Sequence, residues 1–126
     1  MKNALIVFLG SGLGGVARHG FNVVTVGMTG LGFPWIILVI NVIGSTLMGM
    51  GVSWFRISGN TSQDLRLFLT TGFLGGFTTF SAFSLDTALL YERGTPGTAA
   101  IYVTASVLLS LLGLFVGMWA VRMAAG

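Results

Sequence analysis

Long apolar runs separated by short polar segments make up nearly all of the chain. Four of the runs have the length of a membrane-spanning helix, at about residues 4–26, 35–55, 65–91 and 98–121. A helix needs about 20 apolar residues to cross a bilayer, and these runs lack the apolar–polar alternation of a transmembrane β-strand. The pattern predicts an all-α integral membrane protein with four transmembrane helices in a single domain, residues 1–126.

The third run contains a segment, Thr70–Ser84, that disfavours an uninterrupted helix. Gly72, Gly75 and Gly76 each cost about 1 kcal/mol of helix propensity, and the Thr-Thr pair after them can bond to nearby backbone groups. We therefore predict that the third helix is broken at its centre. Irregular backbone at membrane depth is tolerated only where protein covers it or where it lines a cavity. The break therefore indicates an ion site, because unwound carbonyls bind cations such as Na⁺ and a helix N-terminus attracts anions.

Composition excludes several other classes of protein. Of the 126 residues, 54% are hydrophobic and 7% are charged, and a soluble domain of this size cannot bury that much apolar surface. The net charge of +3 comes from dispersed basic residues, without the basic patch that a nucleic-acid partner requires. The lack of cysteine excludes disulfides and thiolate metal sites, and the sequence shows no nucleophile–base pair or phosphate loop of an enzyme. We expect a multi-pass protein of the cell (inner) membrane, surrounded by the lipid bilayer.

Three polar side chains lie inside the first two runs. Arg18 either snorkels to the interface or forms a cationic vestibule that attracts an anion. His19 beside it suits the interface better than a role as ligand or proton relay. Asn41 is the strongly polar residue of the second run. Its amide either joins helices by hydrogen bonds or donates to an ion in a pore.

Hydroxyl groups recur every four residues along the fourth run, at Thr98, Tyr102, Ser106 and Ser110. This spacing places them close to one stripe of a helix. The stripe either bonds to a neighbouring helix or lines a hydrated track, and four aligned hydroxyls on an apolar helix favour the track.

Phe80 and Phe83 lie one helical turn apart, with Ser81 between them. The edge of a phenyl ring is partly positive, so an anion can lie against it. A phenylalanine pair at this spacing usually serves packing. Beside a helix break, a serine and Asn41, it indicates a lined anion pathway.

A lone copy of the chain would place Asn41, the hydroxyl stripe and the broken backbone against lipid, which is unfavourable. Self-association, most simply as a two-fold dimer, removes this problem. The basic residues also divide unevenly, but only slightly, between the two sides of the membrane. One side has Lys2, Arg56, Arg66 and Arg122, and the other has Arg93, with Arg18 if it snorkels outward. So small a margin is typical of a protein that inserts in both orientations.

The segment Thr71–Ser84, read as Thr-Gly-Phe-Leu-Gly-Gly-Phe-Thr-Thr-Phe-Ser-Ala-Phe-Ser, closely resembles the signature of the Fluc/CrcB family of fluoride channels. The segments Gly14–Arg18 and Val39–Gly44, the chain length and the four-span layout are also similar. The resemblance implies a fluoride-selective channel that lets cytoplasmic fluoride leave the cell passively and protects against fluoride toxicity. It also implies a dual-topology antiparallel homodimer with two pores and a structural Na⁺ at its centre.

The resemblance further implies roles for individual residues. The backbone carbonyls of Gly75 and Thr78 from both subunits would hold the Na⁺, and Arg18 would be the vestibule arginine. The fluoride pathway would be lined by Asn41, Phe80, Ser81, Phe83, Tyr102, Ser106 and Ser110. Two positions depart from the family pattern, since Ala82 stands in place of a threonine and Asp86 in place of a glutamate.

Two rival functions remain open at this point. A small multidrug-type proton-coupled exporter is also a dimer of four-helix chains, but it needs a proton-exchanging carboxylate in the membrane. Asp86 is the candidate, and it lies near a helix end. The other rival is a non-transporting assembly subunit whose small residues serve packing alone.

Overall fold

The computed structural model describes residues 1–28 and 32–126, and these ranges are helical apart from short turns and one break. Helix α1 runs over Lys2–Thr25 and α2 over Trp35–Ser58. The third span covers Gln63–Glu92 in several pieces, and α6 runs over Pro96–Ala125. All four are long and apolar enough to cross a membrane. The prediction of an all-α, multi-pass membrane protein is confirmed.

The third span is interrupted, as predicted, but the interruption lies after the glycines. It begins with α3 (Gln63–Leu67), widens into a π-helical segment (Phe68–Leu74) and closes with the single turn α4 (Gly75–Phe77). The backbone is extended at Thr78 (ψ 157°) and Thr79 (φ −152°), and α5 then runs over Phe80–Glu92. The glycines therefore stay helical, and the two threonines form the break.

The glycines instead allow α1 and the third span to touch backbone to backbone. A Cβ atom at Gly14 would overlap the carbonyl oxygen of Phe73, and one at Gly76 would overlap the carbonyl oxygen of Ser11. The Ser11 hydroxyl donates to the carbonyl oxygen of Gly72 at 3.3 Å. Small residues at such a contact let two membrane helices approach closely, which fixes the first half of the third span against α1.

Alanine at Gly14 is expected to destabilise the protein, and alanine at Gly12 is not. A methyl group at Gly14 collides with backbone that cannot move aside, which costs about 1–3 kcal/mol. At Gly12 nothing lies within 4 Å of the added Cβ, so this variant gains only the helix propensity of alanine. Thermal denaturation of the detergent-solubilised protein measures both. Equal Tm values for the two variants would contradict the close packing.

A second pair of backbones meets between α2 and α6. A Cβ atom at Gly49 would overlap the carbonyl oxygen of Leu114, and the buried Ser53 hydroxyl donates to the carbonyl oxygen of Met118 at 3.1 Å. The main buried cluster joins α2, α5 and α6 through Leu38, Phe83, Leu90, Ala99 and Tyr102. The outer faces of the helices carry large exposed apolar side chains, as expected for surfaces in contact with lipid. The break in the third span thus lies between two tightly packed helix pairs.

Candidate ion pathway at the broken third helix

Asn41 binds both backbone groups of Thr79 at the break. The Thr79 N–H donates to Asn41 Oδ1 at 2.8 Å, and Asn41 Nδ2 donates to the Thr79 carbonyl oxygen at 3.1 Å. In an unbroken helix the Thr79 N–H would donate to the carbonyl oxygen of Gly75. One side chain from α2 therefore replaces hydrogen bonds that the break removes. Asn41 joins two helices, and its second Nδ2–H is not used by this pair of bonds.

Thr79 also caps the helix that follows. Its hydroxyl oxygen accepts from the N–H of Ala82 at 3.2 Å, and it lies 3.2 Å from the Ser81 hydroxyl. Such a cap satisfies one of the free N–H groups at a helix start. The sequence pointed to the Thr78-Thr79 pair as able to bond to nearby backbone groups but not to Thr79 as an N-cap, although a threonine directly before an apolar helical segment is a usual sign of one. Thr79 is the buried residue on which the geometry of the break depends.

Five of the predicted pathway residues line one cavity of about 340 Å³, here called the inner cavity. They come from α2, α5 and α6: Asn41, Phe80, Phe83, Ser106 and Ser110. The two phenyl rings lie with centroids 5.4 Å apart at an angle of 51°. Phe83 is 9% exposed and Phe80 is 79% exposed. The inner cavity therefore has one buried aromatic wall, Phe83, and one aromatic wall, Phe80, whose ring is largely exposed on the single chain.

The Ser106 hydroxyl is the unusual polar group of the inner cavity. It is buried, and among the residues that the structure describes its oxygen makes no hydrogen bond of standard geometry, although the Tyr102 hydroxyl one helical turn earlier lies near it. A buried hydroxyl without a partner costs free energy. A small molecule or ion in the inner cavity could therefore accept a hydrogen bond from this hydroxyl.

Tyr102 and Ser81 lie away from the inner cavity. Tyr102 is fully buried, its ring centroid lies 5.4 Å from that of Phe83, and its hydroxyl donates to Asp86 Oδ2 at 3.2 Å. Ser81 lines a neighbouring cavity of about 400 Å³, here called the middle cavity, together with Arg18. Thr79 lines both cavities, so they adjoin at the break.

Arg18 is half-buried, and its side chain reaches the break. Its Nη1 donates to the carbonyl oxygen of Thr78 at 3.3 Å. Of the two interpretations of this arginine, snorkelling to the interface describes it less well, because the guanidinium lines the middle cavity and contacts the interrupted backbone. His19 beside it is exposed.

The break also frees carbonyl oxygens that could hold a cation. The Thr79 N–H is directed away from Gly75, and the Ala82 N–H, which would otherwise bond to Thr78, donates to the Thr79 hydroxyl. Gly75 is exposed on the surface of the chain. Within residues 1–28 and 32–126 no three His, Cys, Asp or Glu side chains converge on a metal site. The Gly75 oxygen suits a cation, whereas the Thr78 oxygen would share its lone pairs between the cation and Arg18.

The comparison with known proteins covers almost the entire chain. A family model described as "CrcB-like protein, Camphor Resistance (CrcB)" matches residues 5–118. A fluoride-specific ion channel FluC of Rhodopseudomonas palustris (strain BisB5) is 55% identical over 118 residues, which cover 94% of this chain and 95% of the relative.

Two further relatives are almost as similar. A fluoride-specific ion channel FluC 2 of Nitrobacter hamburgensis is 51% identical, with 95% of this chain and 97% of the relative covered. A fluoride-specific ion channel FluC of Beijerinckia indica is 50% identical, with 97% and 98% covered. The match to the family model and the identity of these relatives over nearly their full length show that the chain belongs to the CrcB family.

Proposed function

We propose that this protein is a fluoride-selective channel that lets cytoplasmic fluoride leave the cell passively and so protects against fluoride toxicity. The names of its relatives support this function. The observation in the structure that carries it is the buried Ser106 hydroxyl, which has no partner of standard geometry within residues 1–28 and 32–126, in a cavity walled by Phe80 and Phe83. The protein is a transporter of the bacterial inner membrane and has no enzymatic activity.

The lining of the inner cavity suits a small anion that has lost water. The ring edges of Phe80 and Phe83 offer positive polarity, the free N–H of Asn41 offers a donor, and the hydroxyls of Ser106 and Ser110 offer two more. None of the residues lining this cavity is charged. Conduction requires binding that is strong enough to admit the ion and weak enough to release it, and uncharged donors meet both conditions.

The middle cavity supplies the charge that attracts the anion. Arg18 lies there with Ser81, directly beside Thr79 and the inner cavity. A cation at the mouth of a narrow pathway raises the local concentration of anions. We place Arg18 at the vestibule and Ser81 at the start of the pathway, with Tyr102 supporting Phe83 from behind.

The working unit is an antiparallel, dual-topology homodimer with two pores. Phe80 is 79% exposed on a single chain although it lines the inner cavity, so a second copy is the natural means of closing that wall. Gly75 is exposed as well, and its carbonyl oxygen, which the Thr79 N–H does not reach, would be unsatisfied in lipid. The nearly balanced basic residues are consistent with insertion in both orientations.

A structural Na⁺ lies at the centre of this dimer in our proposal. The carbonyl oxygens of Gly75 and Thr78 from each subunit would hold it, because both have lost their helical donors at the break. When bound, the ion would neutralise the carbonyl dipoles that the two broken helices present to each other. It takes no part in moving fluoride.

The purified protein in liposomes tests the function. With fluoride inside, a fluoride-selective electrode is expected to report rapid release after the membrane potential is short-circuited, and liposomes loaded with chloride should release none. Release by the purified protein alone also excludes the non-transporting assembly subunit. Liposomes that retain their fluoride would overturn the proposal.

Asp86→Asn separates the channel from a proton-coupled exporter. Asp86 Oδ2 accepts a hydrogen bond from Tyr102, and asparagine keeps an acceptor oxygen there while losing the ionisable proton. A passive channel is expected to keep its fluoride flux within about threefold of the parent, because it needs no ionisable proton and the change removes a half-buried negative charge that repels anions. An exporter would lose transport completely. Fluoride efflux from liposomes with and without a pH gradient distinguishes the passive channel from the proton-coupled exporter.

A further inference from the structure

A third cavity shares lining residues with the middle cavity and none with the inner cavity. This outer cavity, of about 340 Å³, is lined by Asn22 and Asp86 among apolar and aromatic side chains, which include Phe33, Ile37 and Leu85. Asn22 also lines the middle cavity, together with Arg18. An ion that moves from the outer to the middle cavity therefore passes Asn22.

Asn22 faces this junction from α1. It lies four residues after Arg18, which places both side chains on one face of the helix, and it is half-buried. Among the described residues that line the outer cavity, Asn22 carries the amide and Asp86 the carboxylate. The carboxylate repels an anion, and its Oδ2 already accepts from Tyr102. The amide of Asn22 offers N–H donors beside that repulsive group.

We propose that Asn22 is an anion-binding residue at the mouth of the pathway. Its side-chain amide donates to the ion between the outer and middle cavities, where it offsets the repulsion of Asp86. The ion then reaches the middle cavity, where the Arg18 guanidinium attracts it. A neutral donor can replace a lost water molecule without holding the anion as firmly as a charge does. This role rests on the proposed function, because it requires that an anion pass through the cavities.

Asn22→Leu removes the donor and keeps the size of the side chain. Loss of a hydrogen bond to an ion is expected to lower fluoride flux about tenfold at fluoride concentrations below half-saturation. At saturating fluoride the flux should stay within about twofold, since the loss of a binding step raises the half-saturating concentration and spares the maximal rate. Thr25→Val is the matched control on the same helix, because the Thr25 hydroxyl donates to the carbonyl oxygen of Phe21 at 2.6 Å. It should conduct like the parent at both concentrations.

Asn22→Asp provides a second variant that keeps the side chain polar and of equal size. It replaces the donor by a negative charge, so its flux at low fluoride should fall below that of Asn22→Leu. Equal loss at low and saturating fluoride would assign Asn22 a structural role and overturn the inference. Parent-like flux in Asn22→Asp would also overturn it, while fluoride efflux by the parent protein would leave the proposed function intact. A parent protein that releases no fluoride would overturn both.

Discussion

Isoleucine at Phe80 is expected to lower fluoride flux at least tenfold while the chain folds as before. The phenyl ring is 79% exposed on the single chain and lines the inner cavity, so its loss removes a ring edge from the ion without emptying the core. The interaction of a charged ion with one polar group contributes about 1.5–3 kcal/mol, which corresponds to about a tenfold to hundredfold change. Efflux from liposomes measures the flux, and gel filtration checks assembly.

Phe83→Ile and Phe115→Ile complete this experiment. Phe83 is 9% exposed and its ring packs against Tyr102, so its replacement should lower both the flux and the thermal stability. Phe115 is 64% exposed on α6 and serves as the control, with parent-like flux expected. If both Phe80→Ile and Phe83→Ile conduct like the parent, the ring edges have no part in conduction.

Asn41→Asp is expected to reduce fluoride flux at least a hundredfold. The aspartate has no N–H, so the Thr79 carbonyl oxygen loses the donor that Asn41 Nδ2 supplies at 3.1 Å. The Thr79 N–H keeps its acceptor, which preserves the capped start of α5. A carboxylate in the inner cavity also repels an anion directly, and this repulsion is strong where little water screens it.

Asn60→Asp makes the same chemical change in the exposed turn before α3 and should leave the flux unchanged. Fluoride efflux and the fraction of monodisperse protein are measured for both variants. Parent-like efflux in Asn41→Asp would remove Asn41 from the pathway and leave it only its contacts with Thr79.

The four helices could be predicted from the sequence because their apolar runs are long and continuous. The position of the break was harder to predict from the sequence. Helix propensity points to Gly72, Gly75 and Gly76, but all three glycines stay helical, and α1 packs directly on Gly72 and Gly76. The two extended threonines depend on Asn41, which lies 38 positions earlier in the chain. Local propensity carries no information about such a distant partner.

The candidate site shows the same limit. Sequence spacing grouped Tyr102 with Ser106 and Ser110, but a four-residue repeat advances about 40° around a helix at each step. The stripe therefore drifts, so that Ser106 and Ser110 face the inner cavity while Tyr102 packs behind Phe83. The middle and outer cavities, and Asn22 between them, depend on how α1, α2 and α5 are arranged around them. Only the three-dimensional structure gives this arrangement.

The bonds between Asn41 and Thr79 have a consequence for the order in which the protein is made. Translation delivers α2 to the membrane before the third span, so the partner of Thr79 is already in place when the break arrives. A third span inserted without α2 would carry an unbonded N–H and C=O into the hydrocarbon, each costing several kcal/mol. We therefore expect the second half of the third span to reach its final depth only once α2 is beside it, which makes α2 an internal template for biogenesis.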